Sequence, residues 1–441
     1  MTNQKSDFEF QSILLQSERI DKEVELRDIV SDLEIFEHLD KPYLTGKILL
    51  IDSENLLQEG DFLGGERITV AIKTLREDAK TVTKTFYIAN IVQTEKVQDN
   101  VQTIVLSLIE DIGYISNLQV INKFYSGKVS DILDKISFNY LNDKPINSNG
   151  KDKDSVKLIV PNLDPLETFK WLTRKAKTQE GYPFYIYSVL TKNELQFQDL
   201  GTLLETSVIN ADVPYRQNSA AARSFRPDIK RRTIQTHKFT GGANILDLVQ
   251  KSLIGSKYEY IDSTEEKRKI FEYDVMKDLF KPLLDKNVLQ QNQPNPPFSA
   301  KYKFNGQSFN ELNSSYNTMF GGSNAYRTTD DINYVTGYNE EKELSGYKAK
   351  IIGRAMDAIL RTEPLTMVVD GLDFLDGDKH STIGNQLRIE IATTNPEPEK
   401  TASRIDKRKS GDYLIFATRH MFKREKYDLA LTCVKLGNYK R

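Results

Sequence analysis

Ser410-Gly411-Asp412-Tyr413-Leu414-Ile415, then Arg419-His420, then Lys426-Tyr427 and Leu429-Ala430-Leu431-Thr432-Cys433-Val434-Lys435-Leu436, is the stretch whose reading decides the fold. It spells a strand, a charged reversal and a second strand. Leu429, Leu431 and Cys433 recur with a period of two, which sets them on one face of a half-buried strand. Gly411 stands where a turn with positive φ would need a glycine.

Strands of the same kind fill the first third. Arg67-Ile68-Thr69-Val70-Ala71-Ile72-Lys73 points Ile68, Val70 and Ile72 one way, and Thr103 to Leu108 does so through Ile104, Leu106 and Leu108. Val82 to Val92 is a looser version, and Leu44 to Ile51 is a further strand with Gly46 near its start. Gly64-Gly65 supplies a turn that requires positive φ. Short strands separated by turn signals predict an antiparallel barrel or sandwich over about 1–115.

The period then changes. Val129, Ile132, Leu133 and Ile136 mark one face of a helix. A second helix starts at Asp164-Pro165-Leu166-Glu167, with Asp164 as N-cap, Pro165 at N1, Glu167 at N3 and a stripe of Leu166, Phe169, Leu172 and Ala176. Tyr185 to Leu190 and Glu194 to Phe197 read as a hairpin around Thr191-Lys192-Asn193. These elements make an α+β domain over about 116–205.

Further on, Ile245, Leu248, Val249 and Leu253 predict a short helix after Gly241-Gly242. Lys257 to Ile261 and Lys269 to Tyr273 predict strands around Glu265-Glu266-Lys267-Arg268. Gln290-Gln291-Asn292-Gln293-Pro294-Asn295-Pro296-Pro297 is a linker by composition. Ile352, Met356, Ile359 and Leu360 form another helical face. Thr366 to Asp370 and Leu387 to Ile391 return to strand alternation. Residues 206–280 and 345–441 are thus read as one barrel-like domain, interrupted by a loop-rich insertion at 281–344.

Composition bounds the function. A length of 441 residues, 39% hydrophobic and 28% charged, suits a folded chain of roughly two to four domains. A net charge of -2, from 61 basic and 63 acidic residues, lacks the basic field of a dedicated nucleic-acid binder. The single cysteine, Cys433, excludes intrachain disulfides and multi-cysteine zinc sites. It reads as a small core residue. The polar start Met1 to Asp7 shows no secretory signal, and no apolar run approaches the roughly 20 residues of a membrane span. Synthesis in a reducing cytosol and no membrane partner are expected.

The closing strand pair resembles the end of the baseplate hub proteins of contractile-tailed, T-even-type phages. Val30 to Glu37, Lys41 to Asp52 and Gly64 to Val70 are similar to the hub's opening strands. The fold class the resemblance implies is α+β, mainly β: two antiparallel β-barrel-like tube domains with an intervening α+β domain and an insertion. It implies a homotrimer whose two barrels per chain make six in a ring, matching a sixfold tail tube to a threefold spike. The expected partners are a trimeric spike or tail lysozyme protein, the tail tube and other baseplate proteins. DNA would pass through the channel without specific binding, in keeping with the near-neutral charge. The place would be the virion tail baseplate, after assembly in the host cytoplasm. Two other readings stand beside it: the spike base of a type VI secretion-like machine, and a peptidoglycan-cleaving tail enzyme.

No catalytic, cofactor-binding or metal-binding residue is expected, and no cofactor. Arg404-Ile405-Asp406-Lys407-Arg408-Lys409 is the densest basic run, but Asp406 and the preceding Glu397 and Glu399 mark a mixed-charge loop. Lys230-Arg231-Arg232 reads as a wet strand edge. Asp370, Asp373, Asp376 and Asp378 lack the spacing of a calcium loop and read as a strand ending in an Asp-Gly turn. His38, His237, His380 and His420 are far apart and belong to no zinc motif. No nucleophile elbow, P-loop or dinucleotide fingerprint occurs. The stretch Phe304 to Tyr338, rich in Tyr, Asn and Gly, is a candidate contact with a neighbouring subunit or the spike.

Overall fold

The structure is a computed structural model. It describes residues 7–17, 20–53, 64–75, 79–98, 101–152, 155–178, 180–217, 231–241, 256–262, 267–273, 303–308, 315–321, 352–375, 382–393, 409–423 and 426–435, with isolated positions between them. The chain is mainly β, with one large mixed sheet.

Seven strands come first: β1 (Phe8–Ser17), β2 (Ile20–Glu25), β3 (Val30–His38), β4 (Thr45–Asp52), β5 (Arg67–Thr74), β6 (Val82–Gln98) and β7 (Val101–Glu110). They pair antiparallel in the order β2-β1-β5-β6-β7-β4-β3. The alternations read from the sequence hold, since Ile68, Val70 and Ile72 on β5 and Ile104, Leu106 and Leu108 on β7 are all buried. They share one core with Ile13 and Leu15 of β1 and Leu33 and Ile35 of β3. Strands far apart along the path meet in that core, so the sheet curls around it. Gly64 and Gly65 take φ of 95° and 94°, as the turn signal required. Gly46 has a different role: a Cβ there would lie 2.9 Å from the Glu34 carbonyl oxygen on β3. Strand β6 runs for 17 residues, longer than its alternation indicates, because three bulges absorb the breaks in pattern.

Helices concentrate in the next segment. In chain order it holds a helix over Asp111–Asn117, β8 (Phe124–Lys128), a helix over Val129–Tyr140, β9 (Ile146–Ser148), β10 (Ser155–Ile159), a helix over Pro165–Thr173, β11 (Phe184–Tyr187), β12 (Leu195–Asp199) and a helix over Leu200–Glu205. The predicted faces Val129, Ile132, Leu133, Ile136 and Leu166, Phe169, Leu172 build its core. The Asp164 side chain accepts from the Glu167 N–H at 2.9 Å, with Pro165 at N1. Glu167 turns to Lys170 (2.6 Å), so that carboxylate is engaged along the helix. Buried Glu110 ties this segment to the first seven strands. Its Oε2 accepts from the Leu44 N–H at 2.8 Å, while the ammonium groups of Lys84 and Lys144 each lie 3.5 Å from Oε1. Burial pushes the Lys84 ammonium below the usual lysine range, against the pull of Glu110.

The remaining strands are β13 (Tyr215–Gln217), β14 (Thr233–Ile234), β15 (Thr236–Phe239), β16 (Ser256–Asp262), β17 (Lys267–Tyr273), β18 (Lys303–Phe304), β19 (Gln307–Ser308), β20 (Ser315–Gly321), β21 (Leu365–Asp370), β22 (Gln386–Glu390), β23 (Gly411–Lys423) and β24 (Lys426–Val434). A helix over 352–360 precedes β21, with Met356 and Leu360 buried. The closing hairpin is β23–β24, and Leu429, Leu431 and Cys433 lie on its buried face. Strands β16 and β17 pair as a hairpin, and β16 also pairs in parallel with β20, so one small sheet joins residues from both sides of position 281. The β18–β19 turn has φ of 47° at Asn305 and 82° at Gly306, the positive pair that a type I′ hairpin turn needs. The rest of the 281–344 insertion lies outside the described residues. So does the helix expected over Ile245 to Leu253, apart from Leu246 and Gln250.

Gly411 has φ of 143°, but it is the first residue of β23, opposite Ile389, and not a turn residue. The turn lies before it, where the Ser410 N–H donates to the Asp406 carbonyl at 2.8 Å. Gly411→Val is expected to cost about 1–3 kcal/mol through backbone strain and to lower the melting temperature. An unchanged melting curve would count against that strain.

Candidate functional site

The site is built by repetition. The order β22-β23-β24-β21-β15, antiparallel at every step, repeats β5-β6-β7-β4-β3. The correspondence extends to register. The last β6 residue held by β5 is Tyr87, and the last β23 residue held by β22 is Leu414. Immediately afterwards each strand bulges against its hairpin partner, at Ile88/Asn90 in β6 and at Ile415/Ala417 in β23. Setting Tyr87 on Leu414 aligns Ile104 with Leu429, Leu106 with Leu431 and Leu108 with Cys433, and all six are buried. The next strand out differs: β1 is antiparallel to β5, whereas β13 is parallel to β22.

The two modules are joined through β23. Its first residues pair with β22, and beyond the bulge Ala417–Lys423 pairs antiparallel with His38–Asp32 of β3. One long strand therefore serves both modules.

A buried polar cluster locks this junction. Glu37 Oε1 accepts from the Leu190 N–H at 2.6 Å, and its Oε2 accepts from the Thr418 hydroxyl at 2.7 Å. His420 Nε2 lies 3.3 Å from the same Oε2, and His420 Nδ1 shares a 2.7 Å hydrogen bond with the Tyr427 hydroxyl. Burial opposes ionisation of Glu37, but His420 and the hydrogen bonds from Leu190 and Thr418 outweigh it and hold the carboxyl below the usual glutamate range. On the outer side Arg419 reaches Glu34 through two hydrogen bonds, of 2.6 and 3.1 Å. Glu37, Thr418 and Tyr427 carry no signal in the sequence beyond lying on strands. Of the four, His420 alone stands among the candidate residues of the sequence, as one of the histidines that belong to no zinc motif.

A cleft of ≈ 820 Å³ lies beside the junction, lined by Asp40, Lys170, Arg174, Tyr185, Asp357 and Arg361 among others. Arg361 bridges Asp40 and Asp357, each at 3.0 Å, and the Tyr185 hydroxyl donates to Asp357 at 2.7 Å. Burial would raise the Asp40 carboxyl, but His38 and Arg361 beside it bring it down to about 2. These carboxylates are fixed in ion pairs. Asp40 is therefore no general acid poised near neutrality.

The other residues singled out in the sequence are scattered. Cys433 is buried, which pushes its thiol up. Asp370 ends β21 and accepts from the Leu372 N–H at 3.0 Å in the expected turn, while Asp376 and Asp378 lie outside the described residues. His38 pairs with Asp40, His237 packs edge-on to Phe239, His420 belongs to the junction, and His380 lies outside the described residues. Arg232 donates to the Val213 carbonyl at 3.1 Å, and the Lys409 ammonium lies 5.0 Å from the Phe239 ring centre. Arg404, Lys407, Arg408 and Lys230 are outside the described residues. Among the described residues no group of three or more His, Cys, Asp or Glu is placed to hold a metal ion. Among them, too, no helix is long and apolar enough to cross a membrane.

The fold is similar to that of two solved tail proteins. The chain is similar to a tail protein from Neisseria meningitidis MC58, at 11% identity and a TM-score of 0.51, over 97% of this chain and 96% of that one. It is likewise similar to the 43 kDa tail protein of prophage MuSo2 from Shewanella oneidensis, at 11% identity and a TM-score of 0.50, over 96% and 98%. At such identities the likeness is one of fold. No protein-family model matches the chain. No curated protein sequence matches it either.

Proposed function

We propose that the chain is the structural hub of a contractile phage tail baseplate. Three copies present six β-modules in a ring, seat the sixfold tail tube and rest on a threefold central spike, with the DNA channel through the middle. The observation that carries this reading is the doubled strand order, β5-β6-β7-β4-β3 and β22-β23-β24-β21-β15. Two like modules per chain let three chains imitate six, and a head-to-tail contact that closes makes a ring. The near-full-length likeness to tail proteins supports the same place in the virion.

The proposed division keeps 1–115 and 206–280 with 345–441 as the two tube-type modules, 116–205 as the α+β domain between them and 281–344 as the insertion. The partners are a trimeric spike or tail lysozyme protein, the tail tube and other baseplate proteins. DNA passes without specific binding, and no membrane is involved. The hub itself does no chemistry, and what supports this is a cleft whose carboxylates are held in ion pairs. Zymography of the purified protein on peptidoglycan is expected to show no clearing band.

Mass measurement in solution tests the assembly. A trimer is expected, alone or on addition of the candidate spike. A strictly monomeric species under both conditions contradicts the hub.

A further inference from the structure

The junction between the two modules uses one edge of each, β3 of the first and the far half of β23 in the second. The repeat makes β15 the counterpart of β3, and the far half of β6 the counterpart of the far half of β23. Among the described residues, no strand pairs with the outer edge of β6 over Asn90 to Glu95, and β15 pairs with β21 alone. The β6 arm is exposed throughout, including Ile91 and Val92. A long exposed strand edge with apolar side chains is a template for another strand.

We infer that β15 of one copy adds to the far half of β6 in a second copy of this chain, in the register by which β3 adds to β23. Register equivalence supplies the pairs. In the junction His420 faces Ile35 and Met421 faces Glu34. Through their ladder partners, Thr94 and Glu95 correspond to His420 and Met421, and Phe239 and Lys238 correspond to Ile35 and Glu34. Thr94 thus faces Phe239 of the second copy, and Glu95 faces its Lys238. The latter pair is of opposite charge, and both residues are exposed in the single chain. Opposite charges across a ladder favour the pairing, and like charges oppose it. The contact is heterologous, so each copy offers one edge and receives another. This inference rests on the ring proposed above and names the surfaces that close it.

Cysteine cross-linking of the full chain tests it. Directly opposed residues of an antiparallel pair have Cα atoms about 4.5–5.5 Å apart, within the disulfide range of about 4.4–6.8 Å. The single native cysteine, Cys433, is buried and stays out of the reaction. A chain with both Glu95→Cys and Lys238→Cys is expected to give covalent oligomers on a non-reducing gel. A mixture of the two single variants is expected to stop at the covalent dimer. Asn90→Cys with Lys238→Cys, out of register, is expected to stay uncoupled. Independently, Glu95→Lys is expected to weaken association on the order of fivefold, with recovery in the double variant carrying Lys238→Glu. Wild-type oligomers without the in-register cross-link overturn the strand addition and leave the ring standing. A wild-type chain that is monomeric at every concentration, alone and with the spike, overturns both.

Discussion

Glu37→Leu is expected to cost about 3–5 kcal/mol, because it strips the partners from a buried cluster that cannot rehydrate. The Leu190 N–H and the Thr418 hydroxyl lose the acceptors they reach at 2.6 and 2.7 Å, and His420 loses the carboxylate 3.3 Å away. Glu37→Gln keeps the shape and one acceptor, so a smaller loss is expected. Denaturant midpoints of the three proteins measure the difference, and equal midpoints would rule out a locking role for the cluster. The same carboxyl sets a pH dependence. Its folded pKa lies below the unfolded glutamate value of about 4.3, so its contribution is fully present above that value. It is lost as pH falls through the depressed folded value. Glu34 and Asp40 are shifted in the same direction and add to the effect. Wild-type stability is therefore expected to hold from neutrality to about pH 5 and to fall below about pH 4. Glu37→Leu should flatten that acid limb while lowering the neutral plateau.

Leu106→Ala and Leu431→Ala are each expected to cost about 2–5 kcal/mol, the range for a large side chain deleted from a packed core. The two residues hold the same register position in the two modules, facing Ile91 and Thr418 respectively, and both are buried. They sit in different cores, one with Ile68 and Phe86, the other with Leu387 and Tyr413. Two similar penalties from residues so distant in sequence are what a duplicated module requires. Phe138→Ala, at a side chain that is 69% exposed, serves as the control and should stay within about 0.5 kcal/mol. Thermal melts of the three variants give the comparison. A Leu431→Ala protein as stable as wild type would contradict the equivalence.

Much of the local structure was legible in the residues. The period of two placed β5, β7, β21, β22 and β24, and the 3.6-residue period placed the helices at Val129–Tyr140 and Pro165–Thr173. Asp164 and Pro165 gave the start of the second helix, because a cap needs an acceptor and the first turn has no use for an N–H. Other features were hidden. The β6 bulges break alternation over Asn90 to Glu95, so the sequence there reads as a weak strand and gives no sign of a surface. The turn placed at Gly411 proved to lie one step earlier, because Asp406 makes it from loop residues without a strong local pattern.

The duplication shows the divide most clearly. Each module's apolar alternation was fixed by its own sequence, since burying one face of a strand demands only that alternate residues be apolar. That Leu106 matches Leu431, or Leu108 matches Cys433, is invisible there, because the demand is met by any apolar side chain and leaves little identity behind. Which edge meets which is likewise a property of paired backbones, and β3 finds β23 across most of the length of the chain. Local chemistry determined the strands, helices and caps. Long-range hydrogen bonding and shared burial decided that five strands at each end form like modules, that one strand joins them, and that Glu37 and His420 meet at the join.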